Sequence, residues 1–119
     1  MTTYFNNCRG RRHETFYGKG AFFDLNTTGL QAKMAVGLKR GEECVVASYN
    51  NDGAVAFDWW EFSREALEPD PDDATAQVRV FYGKRTRSVR MSKAKAAKTK
   101  DYKIFFNRDG NFKRPSVVK

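Results

Sequence analysis

One histidine, His13, two cysteines, Cys8 and Cys44, and three prolines are all this 119-residue chain has of those types. A structural zinc site of the Cys/His kind needs four such ligands, so that class is nearly excluded, and so is histidine-dependent nuclease chemistry. Two cysteines make no disulfide framework, and a reduced, cytoplasmic protein is expected. Leucine is as scarce, with Leu25, Leu30, Leu38 and Leu67 the whole set and Ile104 the sole isoleucine. That argues against a helical bundle. No apolar run approaches the roughly 18 residues that span a bilayer, so no membrane partner is expected. The opening Met-Thr-Thr-Tyr-Phe-Asn-Asn-Cys lacks the charged head and apolar stretch of a secretory signal. There is no Gly-x-x-x-x-Gly-Lys-Ser/Thr loop to cradle a nucleotide's phosphates.

What the chain does have is aromatic. Ten Phe, five Tyr and two Trp within a 40% hydrophobic composition are too many for disorder. Residues 1–119 are long enough for one domain with its own core. The expected fold is mainly β, α+β in detail: a compact antiparallel sheet or partly closed small barrel with one or two short helices. Small barrels of the OB or PUA-like type offer an analogy of shape, with no motif behind it.

The surest element is a hairpin, Glu43 to Tyr49 and Ala54 to Phe62, around Asn50-Asn51-Asp52-Gly53. Alternation puts Val45, Ala47 and Tyr49 on one face of the first strand and Val55, Phe57 and Trp59 on one face of the second, with Trp60 and Phe62 pointing the other way. Thr75 to Tyr82 and Asp101 to Asn107 also read as strands, and Thr15 to Leu25 as two short strands about Gly18-Lys19-Gly20. Arg108-Asp109-Gly110 reads as a hairpin turn. Ser63 to Leu67 suggests a helical turn and Glu68 to Asp73 a proline-broken loop. Ser92 to Thr99 suggests a serine-capped helix with only alanines to pack. Residues 1–14 read as a mobile basic arm or an edge segment.

Charge is segregated. From Ala74 to Lys119 fourteen bases face only Asp101 and Asp109, while Asp58 to Asp73 holds seven acids against Arg64. Such a basic block exceeds what solubility needs and suits a polyanion. The reading is a small nucleic-acid-binding module, DNA or RNA unresolved. Lys84, Arg85, Arg87, Arg90, Lys93, Lys95, Lys98, Lys100 and Lys103 would contact phosphates, and Arg9, Arg11 and Arg12 would clamp from the arm. Trp59 or Trp60, with Tyr82 or Phe105, would stack on bases, and Asp58 or Glu61 beside an exposed Trp could accept from an exocyclic amine. The acidic block would be solvated, mask the basic tail, or recruit a basic partner.

Two alternatives come from other classes. Pro69-Asp70, followed thirty-one residues later by Asp101-Tyr102-Lys103, resembles the PD-(D/E)xK nucleases. The resemblance covers those five residues and implies Mg²⁺ held by Asp70 and Asp101, with Lys103 supporting the attacking water. Outside it, no catalytic residue, metal or cofactor is expected. The other alternative is an adaptor or inhibitor whose basic face grips an acidic protein.

Overall fold

The computed structural model describes residues 2–6, 19–26, 37–49, 52–70, 73–113 and 116–118. In chain order the elements are β1 (Thr3–Asn6), β2 (Lys19–Asn26), β3 (Glu43–Tyr49), β4 (Ala54–Asp70), β5 (Asp73–Ser92), helix α1 (Lys93–Lys98), a 3₁₀ turn (Lys103–Phe105) and β6 (Ser116–Val118). The fold is mainly β, as expected. Six strands form one open sheet in the order β2-β5-β4-β3-β1-β6. It is mixed, because β1 runs parallel to β3 while the other pairs are antiparallel.

The β3–β4 hairpin lies where the sequence puts it, with Val45 opposite Trp59 and Ala47 opposite Phe57. Its alternation also holds. Val45, Ala47, Val55 and Phe57 join one buried cluster; Cys44, Val46, Trp60 and Phe62 join another on the opposite face with Phe5 and Phe81. Both faces of β4 therefore carry buried residues.

The long ribbon β4–β5 was not legible locally. Ser63 to Leu67 is strand, not helix, because Ala66 pairs with Val80 and Leu67 with Arg79. Once β5 offers a ladder, cross-strand pairing outweighs one turn's worth of helix propensity. β4 continues to Asp70 where a loop was expected. Pro69 is tolerated because β3 pairs only with the first part of β4, up to Glu61, and because the β4–β5 register itself breaks between Pro69 and Asp70.

At 17 residues, β4 would run about 55 Å if straight, yet the molecule's longest dimension is 38 Å. Two bulges relieve this. Trp59 and Trp60 pair with Arg87 and Arg85, leaving Thr86 extra on β5; Phe62 and Arg64 pair with Gly83 and Tyr82, leaving Ser63 extra on β4. The bent sheet curls around the Phe81 face. Phe5 and Phe81 have ring centroids 5.5 Å apart although β3 and β4 lie between their strands. In a flat sheet those strands would be roughly 14 Å apart.

Residues 3–6 are not an arm. Phe5 is fully buried and β1 sits between β3 and β6. The short Tyr-Phe pair inserts one ring into each face, an anchoring that the surrounding polar composition hides. The remainder of the expected arm, with Arg9, Arg11, Arg12 and His13, lies outside the described residues, as does the first of the two strands expected near Gly18.

Helix α1 forms as expected. The Ser92 side chain accepts from the Lys95 N–H at 3.3 Å, and Ala96 is fully buried against the sheet. Replacing Ser92 by Ala should cost about 1 kcal/mol in denaturant unfolding, the usual worth of an N-cap, with no change in m-value. Asp101 to Asn107 is not a strand. Tyr102, Phe105 and Phe106 are all buried, a spacing of three to four that suits turns, and the Tyr102 and Lys103 N–H groups both donate to the Thr99 carbonyl. Only Phe106 bridges to Phe112, across the expected turn, where Gly110 takes φ +81°.

Candidate nucleic-acid interface

The two tryptophans separate into different roles. Trp60 is 3% exposed and packs with Phe62 and Phe81 in the core. Trp59 is half-buried on the other face. Its register partner on β5 is Arg87, whose guanidinium carbon lies 4.5 Å from the indole centroid. Tyr102 stacks on Phe57 at 4.2 Å and meets Trp59 edge-on at 6.1 Å. The turn after α1 places Tyr102 there, and β1 supplies Tyr4, which packs edge-on against Phe105.

These residues border a cleft of about 420 Å³. Tyr4, Val45, Trp59, Tyr102 and Ile104 form its apolar lining, and Thr2, Glu43, Arg87, Lys100 and Asp101 its polar rim. The size falls in the ~300–1,000 Å³ range of small-molecule sites, with the lining divided evenly between apolar and polar residues. The indole and the guanidinium stacked on it form a preset platform with both π and cationic character.

No family model matches this chain, and no curated protein or solved structure does either. The chemistry of the cleft rests on its own residues.

Of the expected stacking residues only Trp59 is suitably placed. Phe105 is 2% exposed, and like Trp60 it serves the core, because the 3₁₀ turn directs it onto Phe57. Tyr82 is on a different part of the sheet. Its hydroxyl donates to Glu68, Arg64 lies 4.0 Å over its ring, and it packs beside Ala21, Val78 and Val80. Asp58 is not beside the open indole: adjacent strand residues point to opposite faces, and Arg85 Nη1 lies 4.0 Å from its Oδ1. The carboxylates that do reach the Trp59 cleft are Glu43 and Asp101. Glu43 and Tyr4 were missed, since only the parallel β1–β3 pairing brings their segments together.

The expected cations divide too. Arg90 donates to Asp52, and Arg85 faces Asp58. The Asp52 carboxyl is held below its usual range by the Ala54 N–H, with Arg90 adding to the effect against slight desolvation. A carboxylate so lowered favours the fold above its ordinary range and loses that contribution as pH falls through the lowered value. Lys93 Nζ reaches Asn111 Oδ1 at 3.4 Å. Lys84, Lys95, Lys98, Lys100 and Lys103 are exposed and make no ion pair among the described residues.

The acids of β4 are partly consumed by the ribbon itself. Glu65 receives Arg79 at 2.6 Å, a charge-assisted pair. Asp70 is buried at the hairpin end, opposite Asp73, whereas Asp101 shares a cleft with Trp59. Asp70 lies beyond both bulges from that cleft. No group of three or more His, Cys, Asp or Glu among the described residues could hold a metal. Cys44 is a buried hydrophobe whose thiol donates to the Trp60 carbonyl, and burial pushes its pKa well up, with Glu43 and Glu42 adding to it. Such a thiol is a poor nucleophile.

Proposed function

We propose that this chain is a nucleic-acid-binding module that stacks an unpaired base on the Trp59–Arg87 platform, while lysines of β5, α1 and the following turn contact phosphates. The carrying observation is the open Trp59 cleft with Arg87 and Lys100 on its rim. Aromatic and guanidinium planes accept any base face, and stacking of this kind contributes about 1–3 kcal/mol per base. Lys84, Lys95, Lys98 and Lys103, which make no ion pair with a described residue, lie on segments leading to or from the cleft. No described residues favour the nuclease alternative, since Asp70 does not converge with Asp101.

A gel-shift panel of single- and double-stranded DNA and RNA at 50 and 200 mM salt tests the reading. The expected result is tighter binding of single strands, weakening steeply with salt. Binding that ignores salt, or failure to bind any nucleic acid while an acidic protein is retained, would replace it with the adaptor alternative.

A further inference from the structure

A second cleft, of about 440 Å³, adjoins the first and enters the reading above only through Lys84. It is lined by Gly20, Arg40, Glu61, Phe62, Ser63, Tyr82, Gly83 and Lys84. The two clefts meet across one cross-strand pair. Glu43 on the rim of the Trp59 cleft is the register partner of Glu61 in the second, and Glu61 in turn faces Lys84. Trp59 and Arg87 form the next row on the same face, about 7 Å along β4.

The second cleft is built around the Ser63 bulge. Gly20 and Gly83 are opposite each other in the β2–β5 pair, so part of its wall is bare backbone. Arg40 stands in a turn that backbone hydrogen bonds hold to β4. The Gly41 N–H donates to the Phe62 carbonyl at 2.8 Å, and the Phe62 N–H donates to the Glu42 carbonyl at 2.8 Å. The turn itself is closed by the Glu42 side chain, which accepts from the Lys39 N–H at 2.6 Å. Arg40 and Lys84 make no ion pair with described residues, and the Ser63 hydroxyl makes no side-chain hydrogen bond with them.

The geometry points to a phosphodiester subsite in this cleft, occupied by the backbone of the same single strand whose base stacks on Trp59. The inference rests on the nucleic-acid reading of the Trp59 cleft. Among the lining residues Arg40 and Lys84 outnumber Glu61, so the cleft favours an anion. Its link to the Trp59 cleft through the Glu43–Glu61 pair favours the internal phosphodiester of a strand already bound there. Arg40 supplies the fork geometry that phosphate oxygens accept, Lys84 a point charge, and Ser63 a hydroxyl donor.

Trp59 fluorescence, titrated with a mixed-sequence DNA octanucleotide at several salt concentrations, reads both sites. Wild type is compared with Arg40→Gln/Lys84→Gln, two exposed positions, with circular dichroism as the check that the variant keeps the fold. The double variant should bind roughly tenfold more weakly, as expected for lost charge-assisted hydrogen bonds. Its log–log salt slope should be shallower by about 0.7, the value for one phosphate of a single strand. The quench at saturation should be unchanged, since the stacked base is retained. Equal affinity and slope in the two proteins would overturn the subsite and leave the Trp59 reading standing. A mononucleotide or inorganic phosphate that binds as tightly as the octamer would overturn the diester assignment. Absence of any octamer binding by wild type would overturn both.

Discussion

Trp60→Ala should unfold more readily by about 3–5 kcal/mol, whereas Trp59→Ala should lose only about 1–2 kcal/mol. The two residues are neighbours in sequence and identical in chemistry, so the contrast isolates environment. Trp60 fills the face where Phe5, Phe62 and Phe81 converge, and its removal leaves a cavity under a curled sheet that cannot collapse without undoing its bulges. For a domain of this size that loss corresponds to a fall in Tm of roughly 10–20 °C. Trp59 has one face open to the cleft, so truncation removes partial burial and the Arg87 contact, worth about 1–2 kcal/mol together. Urea unfolding followed by circular dichroism checks both. Equal destabilisation would show that Trp59 is a core residue, and the platform would lose its basis.

Binding should respond in the opposite order. Trp59→Ala should lose about ten- to a hundredfold in affinity for single strands, the range given by one stacked base. The larger effect should come from reversing Lys84, Arg87, Lys100 and Lys103, cations in or near the two clefts with no ion pair to a described residue, to Glu. Each contact removed also becomes a repulsion, so single-strand affinity should drop by at least a thousandfold at 50 mM salt and its salt dependence should nearly vanish. A parallel reversal of Arg85 and Arg90 should do much less, because Asp58 and Asp52 already hold those guanidinium groups. It should instead lower stability slightly by placing like charges together. Gel shifts across a salt series distinguish the two sets. If both reversals weakened binding equally, net charge alone would govern the interaction and the cleft would have no special part.

Much of this was readable before any coordinates. The β3–β4 hairpin followed from alternation around an Asn/Asp/Gly turn, and the opposite placement of Trp59 and Trp60 followed from the two-residue period of a strand. The serine-capped helix with one buried alanine was equally local. These are properties of a few adjacent residues, and chain geometry alone decides them. The elements that went astray depend on distant partners. Ser63 to Asp70 has the composition of a turn and a loop, and becomes strand because β5 is long enough to pair with it through Gln77. Asp101 to Asn107 alternates like a strand, yet its aromatic residues turn to meet Phe57.

The sequence by itself determined that this protein is β-rich and aromatic, with an acidic block ahead of a basic one. Only the tertiary structure decided which of those charges remain free. Folding the acidic β4 back along the basic β5 commits Arg79 to Glu65 and leaves Arg85 facing Asp58, while Lys84 and Lys100, at two adjoining clefts, make no ion pair with a described residue. The reason is register. Cross-strand partners on β4 and β5 are set by bulges at Thr86 and Ser63 that no local pattern announces.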